Sequence, residues 1–165
     1  MTSQIRVDSI IPTTGVPTGG GGGIVQVVTK PILFSSSSTN IPYDNTAPTI
    51  TEGFEIVNLS ITPLSTSNKI ILGCSFFIDY YLGSVGIGCM FRDSTLLNVT
   101  HGNASKQNLT LFYVDTPNTS NSVTYSVRAG TNSGTAWVNS ENSGPKFGGN
   151  DVNLTNYFWA MEVSA

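Results

Sequence analysis

Apolar residues recur with a period of two along most of this 165-residue chain, and that rhythm limits the folds open to it. Phe54-Glu55-Ile56-Val57-Asn58-Leu59-Ser60-Ile61 is a strand that Pro63 stops. Lys69 to Tyr81 is long enough for a central strand. Leu82-Gly83-Ser84, a hairpin-length connection, leads to a further strand from Val85 to Leu97. Leu109 to Val114, Val123 to Arg128, Thr135 to Asn139 and Tyr157 to Val163 complete the series, parted by Gly, Asn, Pro and Ser clusters. No segment carries a capped apolar stripe at helical spacing. The pattern predicts an all-β protein: an antiparallel β-sandwich of jelly-roll-like form over residues 34–165.

The first 33 residues read as an extended N-terminal arm. Ile5-Arg6-Val7-Asp8-Ser9-Ile10-Ile11 alternates weakly and ends at Pro12. The arm owns no core, so Ile5, Val7, Ile10 and Ile11 are its candidate anchoring residues, to be paired with another sheet edge. Five glycines follow: Gly19, Gly20, Gly21, Gly22 and Gly23. A phosphate-cradling loop needs Gly-Lys-Ser/Thr opening a helix, whereas here β-branched Ile24-Val25-Gln26-Val27-Val28 follows. The run reads instead as a hinge, because glycine is the most expensive residue to order. Ile24 to Val28 reads as a strand broken near Pro31, and SSSSTN (35–40) reads as loop.

Charge is sparse. Asp, Glu, Lys and Arg make up 10% of the chain, against about 25% in ordinary domains. Twenty Ser, twenty Thr and fifteen Asn supply neutral hydrogen-bonding groups in their place. Abundant aromatic and β-branched residues mean that the chain folds. A net charge of −3 without a basic cluster argues against nucleic acid as a partner. No apolar run has the length of a membrane-spanning helix, so membrane insertion is not expected. MTSQIRVDSII lacks the basic and apolar regions of a secretion signal. Cys74 and Cys89 each follow a glycine within an apolar run and read as buried free thiols.

Chemistry-bearing constellations are few. His101 is the single histidine, and no Gly-x-Ser-x-Gly elbow accompanies it, so a solvated loop histidine is expected. Three Cys and His residues, scattered, cannot build a structural zinc site. Asn150-Asp151-Val152-Asn153 offers calcium one carboxylate, and turn chemistry explains it better. Asp79, Asp93, Asp115, Glu141, Asp151 and Glu162 are candidates for a catalytic carboxylate pair, but the sequence does not pair them. An enzyme is not expected, nor any cofactor or metal. Trp137 and Trp159 sit within strands and read as core. Tyr80 and Tyr81 end a strand and form a possible ligand-contact loop, with one ring exposed.

Several short stretches, in order, resemble a known group. They are Ser3-Gln4-Ile5-Arg6-Val7-Asp8-Ser9-Ile10, Pro12, Gly15-Val16-Pro17, the glycine run and Ile24-Val25-Gln26-Val27. In the body they are Leu59-Ser60-Ile61-Thr62-Pro63, Ser67-Asn68-Lys69-Ile70, Phe91-Arg92-Asp93-Ser94-Thr95, Tyr113-Val114-Asp115-Thr116-Pro117 and Met161-Glu162-Val163. The set resembles small bacteriophage virion proteins of the tail-fibre-like kind. The chain departs from them at Asp93, where that group has glycine, and from Asn98 to Asn108, which matches nothing in it. The resemblance implies a non-enzymatic, homotrimeric β-sandwich on the virion surface, in a short tail fibre, spike or knob for host attachment. Its partners would be copies of itself, a tail adaptor or major capsid protein, and a host surface glycan. A capsid decoration (cement or head-fibre) protein is the alternative, and a carbohydrate-binding lectin-like module is the alternative outside that class.

Overall fold

The computed structural model describes residues 23–81, 83–144 and 156–165. Ten strands run through them in chain order, with no helix among the described residues. They are β1 (Ile24–Ile32), β2 (Ser35–Ser37), β3 (Phe54–Ile61), β4 (Lys69–Tyr80), β5 (Gly86–Arg92), β6 (Thr95–Gly102), β7 (Lys106–Asp115), β8 (Val123–Thr131), β9 (Ala136–Val138) and β10 (Asn156–Val163). All pair antiparallel, in two sheets. The fold is the all-β antiparallel sandwich expected from the period-two pattern.

The six-stranded sheet is organised by β4. One edge of β4 is taken along its length by β7. Its other edge is divided, with β10 along Lys69–Gly73 and β9 along Ile78–Tyr80. β1 extends β10 and β2 extends β9. The four-stranded sheet has the order β3-β8-β5-β6. Alternation on β4 sends Ile70, Leu72, Cys74, Phe76, Ile78 and Tyr80 inward, to meet Leu59, Met90, Tyr125 and Val127 of the second sheet. Burying each large side chain contributes about 1.5–3 kcal/mol, so this layer dominates stability. The far side of the four-stranded sheet is covered by the segment between β2 and β3. There Ile41 packs with Ile87, Cys89 and Phe91, and Ile41 N donates to Thr131 O at 3.1 Å.

The strands differ from the sequence reading at four places. The strand assigned to the arm is the edge strand β1 of the body, so the body starts at about residue 23 and not at 34. β1 also runs through Pro31 to Ile32, which an edge strand tolerates because proline's missing N–H leaves no inner ladder bond unmade. Ser35–Ser37, read as loop, is a short strand paired with β9. The expected strand from Val85 to Leu97 is two strands turning at Asp93-Ser94, with Asp93 at φ 50°. Asp tolerates that left-handed conformation, which a two-residue hairpin needs. The connection before β5 is therefore a crossing between sheets and not a hairpin.

Two bridges tie the sheets and turns together. Arg92 Nη1 donates to both Asp115 oxygens at 2.8 and 3.0 Å, and buried Tyr125 donates its hydroxyl to Asp115 Oδ2 at 2.6 Å. Burial and the adjacent Asp115 carboxylate push the Tyr125 phenol well above its ordinary range. Glu162, fully buried, accepts from Leu64 N at 2.7 Å, Asn68 Nδ2 at 2.6 Å and Gln26 Nε2. Burial pushes the Glu162 pKa up, but hydrogen bonds from Gln26, Asn68, Leu64 and Ser65 outweigh it and hold the carboxyl below its ordinary value. Cys74 faces the inter-sheet core and Cys89 the cluster on the far side of the second sheet. They are free, as expected, and burial pushes both thiols up to about 12.

Candidate aromatic groove and outer face

Strand register decides which outward side chains become neighbours. Near the end of β4, Asp79 pairs with Lys106 of β7 on one side and Trp137 of β9 on the other. Trp137 in turn pairs with Ser36 of β2. The rung Ser36–Trp137–Asp79–Lys106 thus crosses the outer face of the six-stranded sheet. Tyr81, just past β4, sets its ring edge-on to Trp137 at 5.6 Å between centroids and 82° between planes. Gly134 leaves the room: a Cβ there would lie 3.3 Å from the Tyr81 ring, on a backbone of φ +85° that side chains disfavour.

Asp79, Tyr81, Lys106 and Trp137, with Tyr80 and Asn142, line a cavity of about 310 Å³. That is the low end for small-ligand sites and suits one compact polar ring system. Its floor is the Asp79 carboxylate, 5% exposed. Asn142 N donates to its Oδ2 at 2.9 Å, whereas Oδ1 accepts from no described residue. Lys106 Nζ lies 2.8 Å from Glu141 Oε2. The hydrogen bond to Glu141 raises the Lys106 pKa, slight burial opposes this, and the charges of Glu141 and Asp79 add to it. The groove therefore offers an aromatic pair of exposed Tyr81 and half-buried Trp137, a half-engaged carboxylate and an already neutralised ammonium.

The expected contact residues divide. Tyr81 is 56% exposed and belongs to the groove. Tyr80 also lines the cavity, but as a residue 2% exposed that packs in the core, its hydroxyl donating to Gly102 O at 2.6 Å and accepting from Gln107 Nε2 at 2.7 Å. Of the arm's candidate anchors and the glycine hinge, only Gly23 is described. It is no free joint, since Gly23 N donates to Ser164 Oγ at 3.1 Å and Ser164 N to Gly23 O at 3.0 Å. Ile5, Val7, Ile10, Ile11 and Gly19 to Gly22 lie outside the described residues, as does Asp151.

Neither tryptophan is core. Trp137 and Trp159 both lie half-buried on the outer face, because each occupies an odd register position relative to the inward Phe158 and Val138. His101 is on strand β6 and not in a loop, exposed, its ring 5.2 Å from that of Tyr43. No hydrogen bond joins it to a serine or a carboxylate among the described residues. No three His, Cys, Asp or Glu residues cluster as metal ligands among the described residues.

A second feature occupies the opposite end of the same face. Val27, Met161, Ile71 and Val114 form one apolar rung across β1, β10, β4 and β7. The next is Thr29, Trp159, Gly73 and Phe112, followed by Pro31 and Tyr157. Trp159 lies over Gly73 so closely that a Cβ there would come within 2.2 Å of its ring, and Phe112 meets it edge-on at 6.1 Å. Val27, Phe112, Val114 and Tyr157 are each about half exposed, between 46% and 55%. Comparison with models of known protein families and with curated proteins finds no match.

Proposed function

We propose that this chain is a non-enzymatic structural protein of a bacteriophage virion surface, working as a homotrimer in a short tail fibre, spike or knob that attaches the particle to its host. The observation that carries this reading is the apolar end of the six-stranded sheet, which no described residue covers. At their observed exposures its four outermost residues present on the order of 400 Å² of mostly apolar surface, the size of the largest patch on a single chain, which is often functional. Its polar surroundings, Thr29, Ser75, Thr110 and Lys69, make the rim that a protein interface carries around an apolar centre. A chain with few charges meets copies of itself through such a face at little electrostatic cost. The ordered resemblance to tail-fibre-like virion proteins supplies the setting. The arm, with Ile5, Val7, Ile10 and Ile11 as anchors, is proposed to join the body to a tail adaptor or capsid protein.

Two measurements test the reading. Sedimentation of the purified full chain at micromolar concentration is expected to give a trimer, and Phe112→Ser is expected to shift it toward monomer. Quantitative mass spectrometry of purified virions is expected to find the chain at a copy number matching the tail. A copy number matching the subunits of the shell would assign it to capsid decoration instead. Its absence from particles would refute both.

A further inference from the structure

We infer that the groove at Tyr81, Trp137 and Asp79 is a binding site for a neutral saccharide. The inference rests on the host-attachment reading for its biological setting and names the ligand class of that attachment.

The argument starts from Asp79. A carboxylate withdrawn from water retains its charge only where donors surround it. Asn142 N–H satisfies Oδ2 and Lys106 lies beside it on the next strand, but Oδ1 is left to whatever enters the groove. Vicinal hydroxyls are suited to it. They present paired O–H donors on one edge of a ring, and an ionised acceptor strengthens each bond roughly twofold over a neutral one. The opposite requirement of a sugar, an apolar C–H face, is met by the aromatic pair. Tyr81 and Trp137 share an edge-to-face contact that holds both rings without ligand, so little ordering is lost on binding. A hydrocarbon ligand would leave Oδ1 desolvated and unpaired, which disfavours it. A flat aromatic base would use the rings but bring few donors to the carboxylate.

Charge selects among saccharides. Lys106 is held by Glu141, so among the described residues of the groove the sum over Asp79, Glu141 and Lys106 is one negative charge. Uronic and sialic acids would place a second carboxylate against it. Neutral hexoses and N-acetylhexosamines carry no such penalty. The cavity of about 310 Å³ admits one such ring with its first glycosidic neighbour at the open side.

The test uses the purified full chain. Saturation-transfer NMR and tryptophan fluorescence are run with glucose, galactose, N-acetylglucosamine, their β-linked disaccharides and N-acetylneuraminic acid. Binding of at least one neutral saccharide is expected, with Kd of about a millimolar, as suits a shallow single site. Tyr81→Ala, at an exposed position, and Asp79→Asn are each expected to weaken it tenfold or more with the circular dichroism spectrum unchanged. Phe112→Ser, on the assembly face, is expected to leave it intact. Absence of transfer from every saccharide, or binding that survives both groove substitutions, overturns the inference. Tighter binding of N-acetylneuraminic acid than of the neutral sugars overturns it as well. None of these results depends on copy number in the virion, so a failed groove and a failed virion assignment are told apart.

Discussion

Glu162→Ala should be among the most damaging single changes outside the apolar core. The carboxylate is fully buried on β10 and accepts from Leu64 N, Asn68 Nδ2 and Gln26 Nε2. Gln26 Nε2 also donates to Thr62 O at 2.8 Å, so it keeps a partner when the carboxylate goes. Asn68 Nδ2, on a residue 6% exposed, donates to no other group among the described residues, although Asn68 Oδ1 still accepts from Ala165 N. Leaving one buried donor unpaired costs about 1–3 kcal/mol, and the Leu64 N–H, close to solvent, adds about 1 more. The expected loss is therefore about 3 kcal/mol, read as a fall in the urea midpoint at constant slope. A loss below about 1 kcal/mol would refute the view that this carboxylate ties the turn after β3 to the last strand.

The sign of the pH dependence follows from the same bonds. Glu162 has a folded pKa below its ordinary 4.5, so its contribution is present above that value. It is lost as pH falls through the folded pKa. Glu162→Gln removes the titration while keeping one acceptor oxygen. The stability difference between wild type and Glu162→Gln should then shrink on acidification below 4.5. A difference that widens there would contradict the assignment.

Three further outcomes are expected. Gly73→Ala, which sets a Cβ against the Trp159 ring, should displace that ring, redden tryptophan emission and cost about 1–3 kcal/mol in urea unfolding; unchanged emission would count against the close approach. Cys74 and Cys89, with thiols raised to about 12, should resist a thiol reagent at neutral pH and both label after denaturation without reductant; an unlabelled pair would mean a disulfide. Removing residues 1–22 should leave the body folded, since Gly23 keeps its bonds to Ser164, yet abolish incorporation into virions under the proposed function. A truncated chain that incorporates normally would end the arm's anchoring role.

The fold was legible because its cause is local. Inward residues of β4 alternate without a fault from Ile70 to Tyr80, and an antiparallel sandwich buries that stripe beside similar ones. Turn chemistry was legible less evenly. Asp93 at φ 50° closes a hairpin where glycine is the usual signal, so the break within the expected strand from Val85 to Leu97 went unread. Ser35–Ser37 pairs with β9 although serine carries little strand preference, because the ladder is decided by the partner. Tyr81 could be picked out as the exposed member of a tyrosine pair at a strand end. Its neighbours could not. Asp79, Lys106 and Trp137 are far apart in sequence and meet only through pairing.

That meeting is a consequence of the core and not of the groove residues themselves. β4 holds its register against β7 and β9 because Ile78 and Val138 must both point inward. A slip of one residue would turn every inward side chain to the surface, at a cost no outer-face contact could offset. The same constraint that buries Ile78 beside Val138 therefore sets Trp137 beside Asp79, and Lys106 beside Asp79 on the other side. At the opposite end of β4 it aligns Ile71 with Met161 and Val114 by the same rule. One rung carries charge and aromatic edges, the other carries only hydrocarbon. Between them lie Gly73, Ser75 and Phe77, so a change at one end reaches the other only through a β4 that the core already holds rigid. The assembly proposed for the apolar end and the recognition proposed for the groove can thus be altered independently, which is why Phe112→Ser and Tyr81→Ala serve as each other's controls.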